Sequence, residues 1–319
     1  MTRRRTLLII GCGDVGLRVA RLLAGRWRIL ALSSSPQRLP ALRAAGVLPL
    51  LGDLDRPETL GRLAMLSDAV LHLAPPPAQG ETDPRTRNLL RVLARGGRVA
   101  RLVYASTTGV YGDCQGDWID ETRTVAPITA RARRRVDAEA LLRFFGRHSG
   151  ATVSILRVPG IYAPDREGGH PRERVARGSP VLQREDDVFT NHIHADDLAR
   201  ACVLALHRGR PQRSVNVCDD SALRMGDHYD RVADLCGLAR PPRLSREQAQ
   251  AVFSAMQWSF MNESRRIGNH RLKQELGLAL RYPGVEDALR DAASAATPGG
   301  PAVAGDTPGP ISGTLPGRA

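Results

Sequence analysis

The glycine-rich turn at residues 11–16 constrains the fold of this chain more than any other sequence feature. Its pattern is Gly-x-Gly-x-x-Gly, it directly follows the apolar run TLLII, and a helical stretch follows it. Gly11 permits a tight turn, Gly13 lets the backbone approach a pyrophosphate, and Gly16 lets the helix pack close to the strand. The start of the helix adds unpaired N–H groups and a positive dipole end. The turn therefore predicts a dinucleotide site, with Asp14 and Val15 among its contacts.

The first half of the chain alternates short apolar runs with helical stretches, which predicts an α/β fold with a doubly wound parallel sheet. Apolar periodicity predicts helices at 14–24, 86–95 and 194–206, and a basic helix ends the stretch 263–276. The segment 162–180 is rich in Arg, Gly and Pro and is expected to be dominated by loop. Strands are expected near 6–10, 28–33, 48–52, 69–73, 101–105, 152–158 and 214–218.

The domain organisation follows from a change of composition near the C-terminus. Residues 1–291 are expected to form one nucleotide-binding domain, with substrate-lobe segments near 160–190 and 219–285. Residues 292–319 are rich in Pro, Gly and Ala and almost free of large apolar side chains. Such a segment cannot bury enough apolar surface to fold, so we expect a disordered tail.

Composition narrows the classes of partner. The net charge is +13, but the arginines are spread along the chain, Lys273 is the only lysine among 46 basic residues, and aromatic residues are scarce. This pattern favours a solvated basic surface over a nucleic-acid partner. The five cysteines form no C-x-x-C pair, and no apolar run is long enough for a membrane span or a signal peptide. We therefore expect a cytoplasmic protein with reduced thiols and no membrane partner.

The residues after the second strand bear on which dinucleotide is bound. An acid at this point would bind the ribose 2′-hydroxyl of NAD, but the sequence instead has Ser33, Ser34 and, further on, Arg38. Small hydroxyls and an arginine suit a 2′-phosphate, so NADP is favoured over NAD; alternatively Arg38 is one more surface arginine. Asp53 either contacts the adenine or caps the next helix. The remaining predicted cofactor contacts are Leu54, Ala74 and Pro75.

Several segments, taken in order, resemble the extended and atypical branch of the short-chain dehydrogenase/reductase superfamily, the relatives of nucleotide-sugar epimerases and dehydratases. The resemblance covers about residues 6–290. It implies a Rossmann-type core with a small C-terminal substrate lobe, and an NAD(P)-dependent oxidoreductase or epimerase-like enzyme. The segments that carry it are GCGDVG, GDL, LHLAPP, LVYASTTGVYGD, LRVPGIYAP, NHIHADDLARA, VNVCDD and RRIGNHRLKQELG.

The resemblance also implies a catalytic hydroxyl after the fifth strand and a Tyr-x-x-x-Lys pair on the next helix. Thr107 occupies the hydroxyl position, whereas alignment of the helix places Arg131 at the tyrosine and Arg135 at the lysine. None of the five tyrosines in the chain has a lysine four residues later. Arg135 can bind ribose hydroxyls but cannot shuttle a proton at neutral pH, because its pKa is too high. Arg131 could hold an anionic group.

If the chain is an enzyme, its proton must come from another residue. Tyr111 is one candidate donor, and His192 and His194 are alternatives with suitable ordinary pKa values. The competing interpretation is a protein that binds NAD(P) or a nucleotide without turnover. The acidic residues after Tyr111 are expected to form a solvated loop and not a metal site.

The expected partner is a small-molecule substrate, anionic or nucleotide-linked, and relatives make a homodimer plausible. Arginines in segments that line the substrate cleft of relatives would favour such a ligand if they converged there. They are Arg157, Arg172, Arg174 and Arg266.

Overall fold

A computed structural model describes residues 4–296 of the chain. The expected tail begins at residue 292, but the last helix continues to Ala296. The remainder of the expected tail, residues 297–319, lies outside the described residues.

Strands and helices alternate through most of the described chain. The strands are β1 Thr6–Ile10, β2 Arg28–Ser33, β3 Leu48–Leu51, β4 Ala69–His72, β5 Arg101–Thr107, β6 Trp118–Ile119, β7 Thr152–Val158, β8 Gly160–Tyr162, β9 Val181–Leu182, β10 His192–His194, β11 Arg213–Asn216, β12 Arg243–Leu244 and β13 Arg266–Ile267. The α-helices are α1 Asp14–Leu23, α2 Leu39–Ala44, α3 Pro84–Gly96, α4 Ala130–Ser149, α5 Pro171–Ala176, α6 Ala195–Arg208, α7 Met225–Cys236, α8 Arg246–Val252, α9 Ala255–Met261, α10 His270–Gln274 and α11 Val285–Ala296. Short 3-10 helices lie at Pro36–Arg38, Pro57–Met65 and Thr108–Tyr111.

Seven of the strands form one parallel sheet in the order β11-β7-β5-β4-β1-β2-β3. The chain winds outward from β1 through β2 to β3, then returns to β4 on the other side of β1 and winds outward again. The direction of winding therefore reverses between β1 and β4. In such sheets ligands bind in the crevice outside the carboxyl ends of the strands at this switch point. The predicted Rossmann-type fold is confirmed.

The two faces of the sheet bury separate apolar layers because successive strand residues point to opposite faces. Leu7 and Ile9 of β1 pack in one layer with residues of α1, α6 and α10. Leu8 and Ile10 pack in the other layer with residues of α3 and α4. All four side chains are at most 1% exposed, so β1 is buried on both faces and fixes the position of the turn that follows it.

The structure adds detail to two sequence expectations for the second half. The stretch 263–276 ends in the basic five-residue helix α10, as expected, and also contains the short strand β13, which pairs with β6. The segment 162–180 contains α5, whose first residue is Pro171, a favourable residue at the first helical position.

A further apolar cluster lies outside the main sheet. It joins α5, α7 and α11 around Tyr162 and Tyr282. None of the helices formed by residues 4–296 is long and apolar enough to span a membrane.

Asp219, just after β11, is 3% exposed and gives a prediction about pH and stability. Its carboxylate accepts hydrogen bonds from the backbone N–H and the hydroxyl of Ser221. Burial raises its pKa to about 7, the bonds from Ser221 oppose this, and Asp220 and Glu286 add to the increase. Because the folded pKa lies above the unfolded value, stability is lost as the pH rises from about 4 towards 7.

We therefore expect Asp219→Asn, which keeps the shape and an acceptor oxygen, to stabilise the protein by about 1–3 kcal/mol at pH 8 and by much less near pH 4.5. Urea unfolding at the two pH values measures this difference. Asp234→Asn, which removes an exposed carboxylate paired with Arg240, is the control and should show no such trend. An equal effect of Asp219→Asn at both pH values would contradict the prediction.

Candidate functional site

The three glycines of the turn after β1 have different environments. Gly11 has a φ of +83°, and a Cβ there would lie 2.5 Å from the backbone nitrogen of Ala74, so both conformation and space require glycine. A Cβ on Gly16 would lie 3.3 Å from Ile9 Cγ2, which reflects close packing of α1 on the sheet. A Cβ on Gly13 would meet nothing within 4 Å. The space beside Gly13 is therefore open to a ligand.

The N-terminus of α1 faces this open space. Gly13 is its N-cap residue, and no side chain caps the helix there. Uncapped N–H groups and the helix dipole favour a phosphate at this position. An open glycine and an uncapped ten-residue helix at the switch point fit the diphosphate of a dinucleotide.

On one side of Gly11 a cavity of about 230 Å³ lies at the carboxyl ends of β1, β2 and β3. The guanidinium of Arg38 lies here and donates to the backbone oxygen of Cys12 at 2.8 Å. Burial raises the pKa of the Cys12 thiol to about 11, although the charge of Arg38 opposes the increase, so this cysteine is not a reactive thiolate. The cavity is lined by the predicted residues Ser33, Ser34, Arg38, Asp53, Leu54, Ala74 and Pro75, and by Arg85, which the sequence analysis did not single out.

Arg85 lies on α3 and reaches the rim of this cavity. It pairs with Asp55 at 2.5 Å and donates to the backbone oxygen of Pro75 at 3.2 Å. No motif marks an arginine at this position, because the contact joins segments thirty residues apart.

On the other side of Gly11 a second cavity, of about 320 Å³, extends towards β5 and β7. It brings Gly13, Asp14, Val15 and Gly16 together with Thr107 and Arg135. Gly11 lines both cavities, so they lie on the two sides of the glycine turn, and we call this pair of adjoining cavities the crevice. The structure thus places the predicted cofactor residues, Thr107 and Arg135 around these two cavities.

Thr107 and Arg135 are both held in place by local bonds. Arg135 Nη1 donates to the hydroxyl of Tyr104 at 2.9 Å and to the backbone oxygen of Ala105 at 2.8 Å. Thr107 Oγ1 accepts from the backbone N–H of Gly109 at 3.2 Å, so its own hydroxyl proton remains available to a ligand. The two side chains therefore present N–H and O–H donors to the same cavity.

Arg131 does not line this cavity. Its guanidinium lies 4.5 Å from the centre of the Phe260 ring, on α9. Burial lowers its pKa, and nearby arginines add to the decrease while Glu263 opposes it. Arg131 is thus covered by the last helical segment before β13, and its role in holding an anionic group stays a prediction.

The proposed proton donors also lie elsewhere. The hydroxyl of Tyr111 is buried and donates to Asn216 Oδ1 at 2.7 Å, and burial raises the pKa of this tyrosine. His192 is half-buried beside the rings of Tyr162 and His228, and desolvation lowers its pKa to about 4. His194 caps α6 through its contact with the Asp196 N–H. None of these three residues lines the crevice.

The four arginines expected in the substrate cleft do not converge on one site either. Arg157 is buried and pairs with Glu139 at 2.9 Å. Arg174 packs on the Tyr229 ring and Arg266 on the Trp118 ring, while Arg172 is exposed on α5. They do not form one anionic subsite.

The acidic segment after Tyr111 is only partly solvated. Asp120 accepts from Thr122 in its own turn, whereas Glu121 is largely buried and accepts from the backbone N–H of Asn216 at 2.8 Å. In the described part of the chain, no group of three His, Cys, Asp or Glu side chains is arranged to hold a metal ion.

Arg166 is a site residue that the sequence analysis missed. It lies in the turn after β8, lines the cavity of Thr107 and pairs with Asp14 at 2.6 Å. Asp14 also pairs with Arg18 at 2.9 Å, and Arg18 in turn contacts Asp165 and Asp196. This network ties the segment after β8 to the first turn of α1. No sequence signal could have shown it, since the paired residues are about 150 positions apart.

Comparison with known proteins is consistent with this geometry. Residues 7–218 match the NAD dependent epimerase/dehydratase family. Protein YeeZ of Escherichia coli strain K12 is 26% identical over 291 residues, covering 88% of this chain and 97% of YeeZ. A conserved protein of unknown function from Silicibacter pomeroyi has a TM-score of 0.77 and 31% identity, covering 92% of this chain and 99% of the other.

A more distant structural relative contains the cofactor. A double mutant of DesIV, a dTDP-glucose 4,6-dehydratase from Streptomyces venezuelae with NAD bound, has a TM-score of 0.69 at 20% identity, covering 89% of this chain and 95% of the other. At this identity the likeness shows the shared fold. The family match over about two thirds of the sequence shows more: the chain belongs to the NAD-dependent epimerase/dehydratase family.

Proposed function

We propose that this protein is an NAD(P)-dependent oxidoreductase or epimerase that exchanges a hydride with a carbon bearing a hydroxyl or carbonyl oxygen. The observation that carries the proposal is the single crevice that joins the open space at Gly13 to the hydroxyl of Thr107 and the guanidinium of Arg135. A dinucleotide lying along it would supply hydride exchange at the end near Thr107.

The protein groups divide the binding task along the crevice. The uncapped start of α1 holds the diphosphate, and Arg135, which has several donors in a fixed plane, holds the ribose hydroxyls. The hydroxyl of Thr107 donates a hydrogen bond to the reacting oxygen and stabilises negative charge there. Arg166, which keeps donors free beyond its contact with Asp14, adds positive charge beside the diphosphate.

The proton of the reaction has no evident source among the side chains of this cavity. Its only acid among the described residues is Asp14, which is held by Arg18 and Arg166, and its lining contains no Tyr, His or Lys. In this cavity the reacting oxygen can exchange its proton with water or with another group of the substrate. The same observation favours a second candidate function, a protein that binds NAD(P) without turnover.

The two functions are separated by one series of measurements. We expect NADH or NADPH to bind at micromolar concentration in calorimetric titration. The absorbance of the nicotinamide should then change when a carbonyl or nucleotide-sugar substrate is added. Thr107→Val should lose turnover and keep cofactor affinity, because it removes only the hydroxyl. Binding with no turnover across the panel would support the second function, and no binding of any dinucleotide would overturn both.

The preference for NADP is a separate proposal, supported by Ser33, Ser34 and Arg38 lining the cavity at the end of β2. We expect Arg38→Ala to weaken NADPH binding at least tenfold and NADH binding much less, because only NADPH carries a 2′-phosphate. The bond from Arg38 to Cys12 is lost for both cofactors, so the difference isolates the phosphate. Arg43→Ala, an exposed arginine on α2, is the control. Equal losses for the two cofactors would refute the preference.

For the substrate we propose a small nucleotide-linked or anionic molecule. The names of related proteins support this class, since they include a UDP-glucose 4-epimerase from Azospirillum brasilense that is 25% identical.

We also propose a homodimer, because the apolar side chain of Phe144 on α4 is 57% exposed. Light scattering of the wild type and of Phe144→Glu tests the dimer.

A further inference from the structure

Two cavities at the amino ends of the parallel strands, away from the cofactor crevice, are each larger than either cavity of that crevice. One has a volume of about 800 Å³ and the other about 510 Å³, and Trp27 and Arg98 line both. We call this region the basic edge and define it by Arg4, Arg5, Trp27, Arg28, Arg98 and Arg101. The strand ends it covers belong to β2, β1, β4 and β5, which are consecutive in the sheet.

Strand register places the arginines of the basic edge side by side. Thr6 of β1 is opposite Arg28 of β2, and the Arg28 N–H donates to the backbone oxygen of Arg5. On the other side of β1, Ala69 of β4 is opposite Arg101 of β5. Because successive residues point to opposite faces of a sheet, Arg28 lines the larger cavity together with Arg4, whereas Arg5 lines the smaller cavity together with Arg101.

Most of the positive charge here is not neutralised. Within residues 4–296 the side chains of Arg4, Arg5 and Arg28 form no ion pair or hydrogen bond. The larger cavity has no carboxylate in its lining. The smaller one contains Asp68, whose carboxylate is engaged by Arg98 at 3.0 Å. Within this part of the chain, two unpaired guanidiniums, those of Arg4 and Arg28, thus line the larger cavity, and that of Arg5 lines the smaller one.

The surroundings of His207 show the same concentration of positive charge. It lies edge-on to Trp27, with ring centres 5.8 Å apart. Burial lowers the pKa of His207, and the charges of Arg5, Arg101, Arg208 and Arg26 lower it further. Arginines from several elements therefore meet around the Trp27–His207 contact.

We propose that the basic edge binds a small anion carrying two or more phosphates, at a site separate from the cofactor crevice. Guanidiniums are the preferred partners of phosphate oxygens, and a cavity of this size accommodates a small molecule. A row of like charges destabilises the folded chain when no ligand is present. Binding of a polyvalent anion removes that repulsion and stabilises the fold.

Inorganic triphosphate is the probe, and Trp27 is the reporter because it lines both cavities. We expect saturable quenching of fluorescence at micromolar concentration, absent in Trp27→Phe. The affinity should be the same in wild type and in Gly13→Ala, which leaves this edge intact but obstructs the crevice. An equal affinity in the presence of saturating NADH provides the same check.

Arg4→Gln/Arg28→Gln, which removes the two unpaired arginines of the larger cavity, should weaken triphosphate binding at least tenfold. Without ligand, it should unfold at a temperature no lower than that of the wild type, because it removes repulsion. The matched control is Arg172→Gln/Arg290→Gln, which removes the same charge from exposed positions on α5 and α11 and should change affinity less than twofold. Equal weakening in both double variants would show non-specific attraction and overturn the site. The absence of saturable triphosphate binding would also overturn the site. Binding of a single-stranded oligonucleotide without binding of triphosphate would overturn it too.

Discussion

Replacing Gly13 with alanine is expected to weaken the binding of NADH and NADPH at least tenfold while leaving the stability of the fold almost unchanged. The added methyl group meets no protein atom within 4 Å, so it enters only the space where the diphosphate is proposed to lie. Gly13 has a φ of −85°, outside the left-handed range, and alanine at an N-cap costs about 0.5–1 kcal/mol relative to glycine, a small part of the stability of a domain. Calorimetric titration and thermal unfolding measure the two effects.

Two other glycines provide controls for this experiment. Gly61 is exposed in the 3-10 helix Pro57–Met65 and also has open space around it, so Gly61→Ala should leave affinity unchanged and raise stability by no more than about 1 kcal/mol. Gly11→Ala should instead destabilise the protein by about 2–4 kcal/mol, because it combines a left-handed φ with a contact of 2.5 Å to Ala74. Wild-type affinity in Gly13→Ala would mean that the glycine turn is structural only.

Removal of the Glu139 carboxylate is expected to destabilise the fold by about 3–5 kcal/mol, the largest stability effect that we predict for a single side chain. Glu139 on α4 is 1% exposed and pairs with Arg157 of β7, itself 4% exposed. It also accepts from the Ser106 hydroxyl at 2.7 Å and from Arg143 at 3.1 Å. Burial raises the pKa of Glu139, but the hydrogen bond and charge of Arg157 outweigh this and leave the pKa lowered.

Glu139→Ala leaves Arg157 buried without a counter-charge, which accounts for the expected loss. Glu139→Leu/Arg157→Met replaces the pair by apolar side chains and should regain most of it, since buried pairs contribute little beyond their own desolvation. Denaturant unfolding of Glu139→Leu, Arg157→Met and the double variant closes a double-mutant cycle. Glu173→Ala, at an exposed position on α5, is the control. A loss below about 1 kcal/mol in Glu139→Ala would contradict the argument.

Because Ser106 directly precedes Thr107, the Glu139 network also bears on the crevice. Ser106 lines the cavity with Thr107, and its hydroxyl is committed to Glu139. The buried network therefore fixes the end of β5 from which the proposed catalytic hydroxyl projects.

The cofactor half of the site could be predicted from the sequence because its signals are local. The glycine spacing sets the turn, the run TLLII sets a strand that is buried on both faces, and the amphipathic stretch after it sets α1. Each signal lies within about twenty residues. The residues at the ends of the parallel strands then meet at one edge, as the switch-point rule requires.

The catalytic half was predicted less well, because the decisive contacts join distant segments. Alignment placed Arg131 and Arg135 together, one helical turn apart on α4, yet Phe260 of α9 covers Arg131 whereas Tyr104 of β5 holds Arg135 in the crevice. Tyr111 follows Thr107 closely in sequence but turns its hydroxyl to Asn216 of β11. Sequence spacing cannot decide among such packing partners.

By itself, then, the sequence determined that this chain forms a parallel sheet with a dinucleotide turn after its first strand, since periodicity and glycine conformation act over a few residues. Only the tertiary structure decided which side chains share a cavity. It brought Arg166 to Asp14 across about 150 residues and kept Tyr111, His192 and His194 out of the crevice. It also collected the arginines of the basic edge from three strand ends. The physical reason is that burial and ion pairing depend on neighbours that only the folded chain brings together.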